Sequence, residues 1–124
     1  MISTVHEGSS EITVVELSGH ADRANIQELL AEIEGLAGRQ GPLRILVDET
    51  GMRPGLLGFN DIHDLVSDWR TATGLKASRI AVVARHPIVR GLNQAFRHLA
   101  NLERKGFMSA FSERADAIAW LVRT

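Results

Sequence analysis

The chain has 124 residues, of which 44% are hydrophobic and 23% charged, and a formal net charge of −1 at pH 7. That length suits one hydrophobic core and a single domain over 1–124, and the near-zero charge removes any general attraction to nucleic acid or an anionic membrane. Cysteine is absent, which excludes disulfide frameworks, thiol nucleophiles and thiolate metal sites and suits a reducing compartment.

No apolar run approaches the roughly 20 residues of a membrane-spanning helix. The opening stretch MISTVHEGSSEITVV lacks the basic and then apolar order of a secretory signal. A cytoplasmic protein is the expectation.

Residues 11–17, Glu-Ile-Thr-Val-Val-Glu-Leu, are rich in β-branched side chains and follow the turn-prone Glu7-Gly8-Ser9-Ser10. Segments 2–7 and 11–17 therefore read as a hairpin, with Gly19 ending the second strand. From Asp22, a good N-cap, Ile26, Leu29, Leu30, Ile33, Leu36 and Ala37 recur at helical spacing up to Gly38. After Gly41-Pro42, residues 43–47 form a short strand that is apolar except for Arg44, as in a parallel sheet covered on both faces.

A loop is expected over 49–59, and Asn60 can cap a helix carrying Ile62, Leu65, Val66 and Trp69 on one face. Residues 79–84 make a further buried strand. Pro87 suits the first turn of the next helix, whose apolar face is Ile88, Val89, Leu92, Phe96, Leu99 and Leu102. Residues 107–111 form a last strand, and Ser112 can cap a final helix through Ile118, Ala119 and Val122. The order β-β-α-β-α-β-α-β-α predicts an α/β fold: a mostly parallel sheet of five strands with four helices and right-handed crossovers.

The strand leading into Asp48-Glu49-Thr50-Gly51 invites three chemical readings. A P-loop nucleotidase needs G-x-x-x-x-G-K-[ST] to cradle phosphates, and the chain has none. An aspartyl-phosphate enzyme needs a lysine at the end of a later strand, where this chain has Ala84-Arg85-His86. The third reading is structural: Asp48 and Thr50 satisfy backbone amides in a tight turn.

The arrangement as a whole is more informative. Gly19-His20-Ala21-Asp22 opening a helix, the strand 44–48, Arg79-Ile80-Ala81-Val82-Val83 before a helix, and 107–111 leading through Ser112-Glu113-Arg114 to Ala117-Ile118-Ala119-Trp120-Leu121 resemble the SpoIIAA-like family of the STAS superfamily, whose namesake is an anti-sigma-factor antagonist. The resemblance implies a single-layer β-α superhelix with successive parallel strands side by side, and a non-enzymatic role. It also implies a phosphorylatable serine just after the third strand, whose added charge weakens docking to a partner. Here that region is Thr50-Gly51-Met52-Arg53-Pro54-Gly55-Leu56, without a serine, so Thr50 is the candidate acceptor.

Ligands of parallel sheets gather beyond the carboxyl ends of the strands, where His20, Asp48 to Thr50, Arg85 and His86 should meet. The helix from Pro87 carries His86, Arg90, Arg97 and Arg104 along one side. This basic face suits an acidic partner, but it has no interleaved aromatics for base stacking, and nucleic acid is not expected. Asp61, His63, Asp64 and Asp68 do not share one helix face, so no metal site is expected. In the 52–59 loop, Met52, Leu56, Leu57 and Phe59 are apolar among two glycines and a proline. They close the core, line a ligand pocket with Trp69, or form a contact surface.

The expected function is a non-catalytic domain, without cofactor, that docks another protein or a second copy of itself through the 52–59 loop and the helix from Pro87. The named surface is Met52, Leu56, Leu57, Phe59, Arg85, His86 and Arg90. The alternative is a carrier of a small apolar or lipid-like ligand, as the lipid-carrier relatives of this fold imply.

Overall fold

In the computed structural model the described residues are 2–8, 10–25, 27–28, 31–32, 35, 44–55, 58, 61, 64, 79–101 and 108–123. Strand β1 (Ile2–Glu7) pairs antiparallel with β2 (Ser10–Ala21), Glu7 lying opposite Ser10. Gly8 turns the hairpin at φ 61°, a left-handed conformation that glycine adopts without a Cβ penalty. Strands β3 (Arg44–Pro54), β4 (Arg79–Val83) and β5 (Met108–Phe111) then add in parallel, so the five-stranded sheet has the order β1-β2-β3-β4-β5.

Parallel neighbours need crossovers. Helical residues occur in the first at 23–25, 27–28, 31–32 and 35, and in the second at 61 and 64. The third is helix α1 (Pro87–Asn101), and α2 (Arg114–Val122) follows β5.

Alternation along the strands decides which helix meets which side chains. Ile12, Val14, Leu46, Ala81 and Val83 form one cluster with Ala117 and Leu121 of α2, edged by Val5, Phe111 and Trp120. The opposite face carries Val15, Ile45, Val47, Ile80, Val82 and Met108, all buried. There α1 buries Val89 and Leu92 and sends Asn93 to Glu49. Helices on both faces explain why residues 45–47 and 80–83 are buried without a break.

Several boundaries differ from the sequence expectation. Strand β2 does not stop at Gly19 but continues to Ala21, with Gly19 inside it at φ 87°. Strand β3 runs to Pro54, so the segment expected to be a loop from 49 begins as strand. Its register explains why it was hard to read: Glu16 pairs with Asp48 and Ser18 with Gly51, two steps on β2 against three on β3. The extra residue is a bulge, which breaks the alternation by which strands are recognised.

Ser112 does not cap α2. The N-cap is Glu113, in extended conformation and without a side-chain cap bond. Ile88, expected on the apolar face of α1, is 57% exposed, unlike Val89 and Leu92 of the same helix.

Candidate functional site at the carboxyl ends of the strands

The bulge in β3 sits level with the ends of β4 and β5. Asp48 shares the face of Leu46 and looks toward the start of α2. Its Oδ1 accepts the backbone N–H of Thr50 at 3.0 Å and the Thr50 hydroxyl at 2.7 Å, a local turn of the kind aspartate favours. The Arg114 guanidinium, on the first residue of α2, lies 3.4 Å from Asp48 Oδ2 and 3.9 Å from Glu16 Oε1. A cavity of about 320 Å³ opens here, lined by Glu16, Leu17, Ser18, Asp48, Thr50 and Gly51.

Glu49 lies on the other face and is only 4% exposed. Asn93 of α1 donates to its Oε1 at 2.7 Å. Burial pushes the carboxyl up from its ordinary 4.5 to about 7; the Asn93 hydrogen bond opposes the rise and the Asp48 charge adds to it. A buried carboxyl of this kind takes up or releases a proton near neutrality.

At the start of α1, Arg85, His86, Ile88 and Arg90 are all exposed. The Ile88 N–H donates to His86 Nδ1 at 3.2 Å, so the imidazole caps a helix whose first turn holds no acidic residue. Arg85 lies 3.9 Å from Glu113, with both side chains about two-thirds exposed, a spacing worth little in water. Between α1 and the ends of β4 and β5 is a second cavity of about 230 Å³, whose lining includes Arg90, Asn93, Gln94, Phe111, Ser112 and Asp116.

The residues expected to form one binding surface do not all share one environment. Arg85, His86 and Arg90 cluster at the α1 N-terminus, whereas Met52 is 3% exposed and closes the core. Leu56, Leu57, Phe59 and Trp69 lie outside the described residues. His20 is within β2, and its Nδ1–H donates to the Pro54 carbonyl at 3.1 Å, tying the two long strands together. Arg23 lies 3.5 Å from Asp61 and 3.8 Å from Asp64. Asp61 also accepts the Gly58 N–H at 2.9 Å; His63 and Asp68 lie outside the described residues.

Sequence reasoning placed Glu49 on the polar rim rather than in the interior, and did not single out Asn93 or Arg114. Glu49 has the parity of Ile45 and Val47, and continuing the strand would have turned it inward. Asn93 lies four residues after Val89, on the apolar stripe of its helix. Arg114 had no signal of its own, because its partners are 66 and 98 positions earlier in the chain.

A family model described as SpoIIAA-like matches residues 12–122. Among solved structures, the chain is similar to an uncharacterized DUF3478-family protein with a SpoIIAA-like fold from Shewanella loihica PV-4. That match has 18% identity and a TM-score of 0.59, covering 98% of this chain and 92% of that one. It is also similar to the anti-sigma factor antagonist SpoIIAA in its unphosphorylated form, at 19% identity and a TM-score of 0.55, covering 95% of this chain and 93% of that one. At these identities the likeness is one of fold. Comparison with curated proteins gives no match.

Proposed function

The chain belongs to the SpoIIAA-like family, and on that premise we propose that it is a non-catalytic docking module that binds an acidic protein partner through the first turns of α1. Ile88 carries this reading. It is the one large hydrophobic side chain among the described residues that is mostly exposed, and Arg85, His86 and Arg90 surround it in sequence on an exposed helix start. An apolar anchor flanked by the Arg85 and Arg90 cations fits a partner surface with an apolar pocket and a carboxylate rim: burial supplies affinity, and charge supplies orientation and association rate. The likeness in fold to an anti-sigma factor antagonist supports the same class of role.

Thr50 is the proposed point of control. A phosphate there adds close to two negative charges beside Asp48 and Glu16, breaks the Thr50–Asp48 hydrogen bond and competes for Arg114. Phosphopeptide mass spectrometry of the protein from its own cells tests this. Repeated absence of the Thr50 phosphopeptide removes that part of the proposal.

Affinity capture tests the docking role. The wild-type chain should retain an acidic protein that salt releases and that Ile88→Glu and Arg85→Glu fail to hold, with unchanged circular dichroism. Equal retention by both variants overturns the proposal, and a concentration-dependent dimer in sedimentation would identify a second copy as the occupant.

A further inference from the structure

We propose that the cavity between α1 and the ends of β4 and β5 binds a small zwitterion of the α-amino-acid class, with its carboxylate on Arg90 and its ammonium group on Asp116. The two charges come from different helices and line the same space of about 230 Å³. Among the described residues neither has a side-chain partner, whereas nearby Arg85 and Arg114 lie within 4 Å of Glu113 and Asp48. A cation and an anion that line one cavity without pairing leave room between them for a molecule carrying both complements.

The remaining lining groups fit that division. Asn93 uses its amide N–H on Glu49, which leaves its carbonyl oxygen to accept from an ammonium. Gln94 accepts from Arg97 through Oε1 at 3.2 Å, which leaves its NH₂ to donate to a carboxylate. Ser112 can do either, and Ala84, Ala110 and Phe111 supply apolar wall for a side chain. The volume lies below the roughly 300–1,000 Å³ of sites for drug-sized ligands, which favours a small molecule. Asp116 disfavours a dianion or phosphate, and Arg90 disfavours a simple amine. The guanidinium fork matches a carboxylate in two-point geometry.

This site shares Arg90 with the docking turn, whereas Asp116, on α2, belongs to the cavity alone. The test is a two-dimensional amide NMR titration of the full chain with L-alanine and L-leucine, alongside N-acetyl-leucine and leucinamide. Shifts should concentrate at 90–94 and 110–116 and saturate at millimolar amino acid. Each capped derivative should bind about ten-fold more weakly or worse, the loss of one charge-assisted contact. Arg90→Gln and Asp116→Asn should weaken binding to a similar degree while the rest of the spectrum stays in place. No localised shift with either amino acid, equal binding of the capped compounds, or an unaffected Asp116→Asn variant overturns the proposal. Retention of the captured protein by Asp116→Asn separates this site from the docking surface.

Discussion

Asp48 and Glu49 are adjacent in the chain and serve opposite faces of the sheet: Asp48 lies 3.4 Å from Arg114 at the start of α2, and Glu49 accepts from Asn93 of α1 at 2.7 Å. One dipeptide at a strand bulge therefore touches both helices whose bounds are described. The two carboxylates differ in exposure and in the charge of their neighbours. Asp48 has an oppositely charged neighbour, whereas Glu49 has a neutral donor and almost no water.

Glu49 makes stability depend on pH in a predictable direction. Its folded-state pKa of about 7 lies above the ordinary 4.5, so between these values the folded state binds more protons than the unfolded state. Stability must fall as pH rises through that window, by up to about 3 kcal/mol. Glu49→Gln keeps an acceptor for Asn93 and removes the titration. Urea unfolding at pH 5 and pH 8 should show a smaller difference for the variant and a more stable variant at pH 8. The same slope in both proteins would exclude Glu49 as its source.

Arg79 fastens the end of α2. Its Nη1 donates to the Trp120 carbonyl at 2.9 Å and the Arg123 carbonyl at 2.7 Å, and the guanidinium lies 5.2 Å from the Trp120 ring centre. Arg79→Ala removes two donors from the helix C-terminus and the stacking, and should cost about 1–2 kcal/mol. Arg79→Lys should recover less than half, because a lone ammonium lacks the planar fork. Denaturant midpoints of the three proteins check the ranking.

Gly19→Ala should destabilise by about 1 kcal/mol through the backbone alone, since φ is 87° and an added Cβ meets nothing within 4 Å. Thermal unfolding measures it. An unchanged midpoint would mean that the strand relaxes at this position.

The Asp48–Arg114 contact should contribute less than about 1 kcal/mol, because Arg114 is substantially exposed. A double-mutant cycle with Asp48→Asn and Arg114→Gln should show a coupling that shrinks in added salt. Coupling that is large and independent of salt would contradict a solvated pair.

Ile88→Ser should leave stability within about 0.5 kcal/mol of wild type, because the side chain is mostly exposed. Partner retention in the capture assay should nevertheless fall. A large loss of stability would place Ile88 in the core.

Strands β1, β4 and β5, the start of α1 and the parallel order were legible in the sequence, because β-branched runs, Pro87 and the spacing of Val89 and Leu92 are local signals. The ends of β2 and β3 were not, since Gly19, the bulge after Asp48 and Pro54 resemble loop chemistry. Of the candidate site, Arg85, His86 and Arg90 were visible as a charged helix start. Glu49 reads as part of a loop from sequence because the expected strand ends at Val47, seven residues before the end of β3 at Pro54.

The sequence by itself determined which segments are apolar on one side or on both, and through them the alternating layers and the family resemblance. Those are properties of neighbours in the chain. Tertiary structure alone decided that Arg114 would lie beside Asp48, that Asn93 would meet a buried Glu49, and that Arg90 and Asp116 would line one cavity. Those residues lie 26 to 66 positions apart, and the charge of a side chain does not reveal its neighbours until the sheet register and the seats of the helices bring them together.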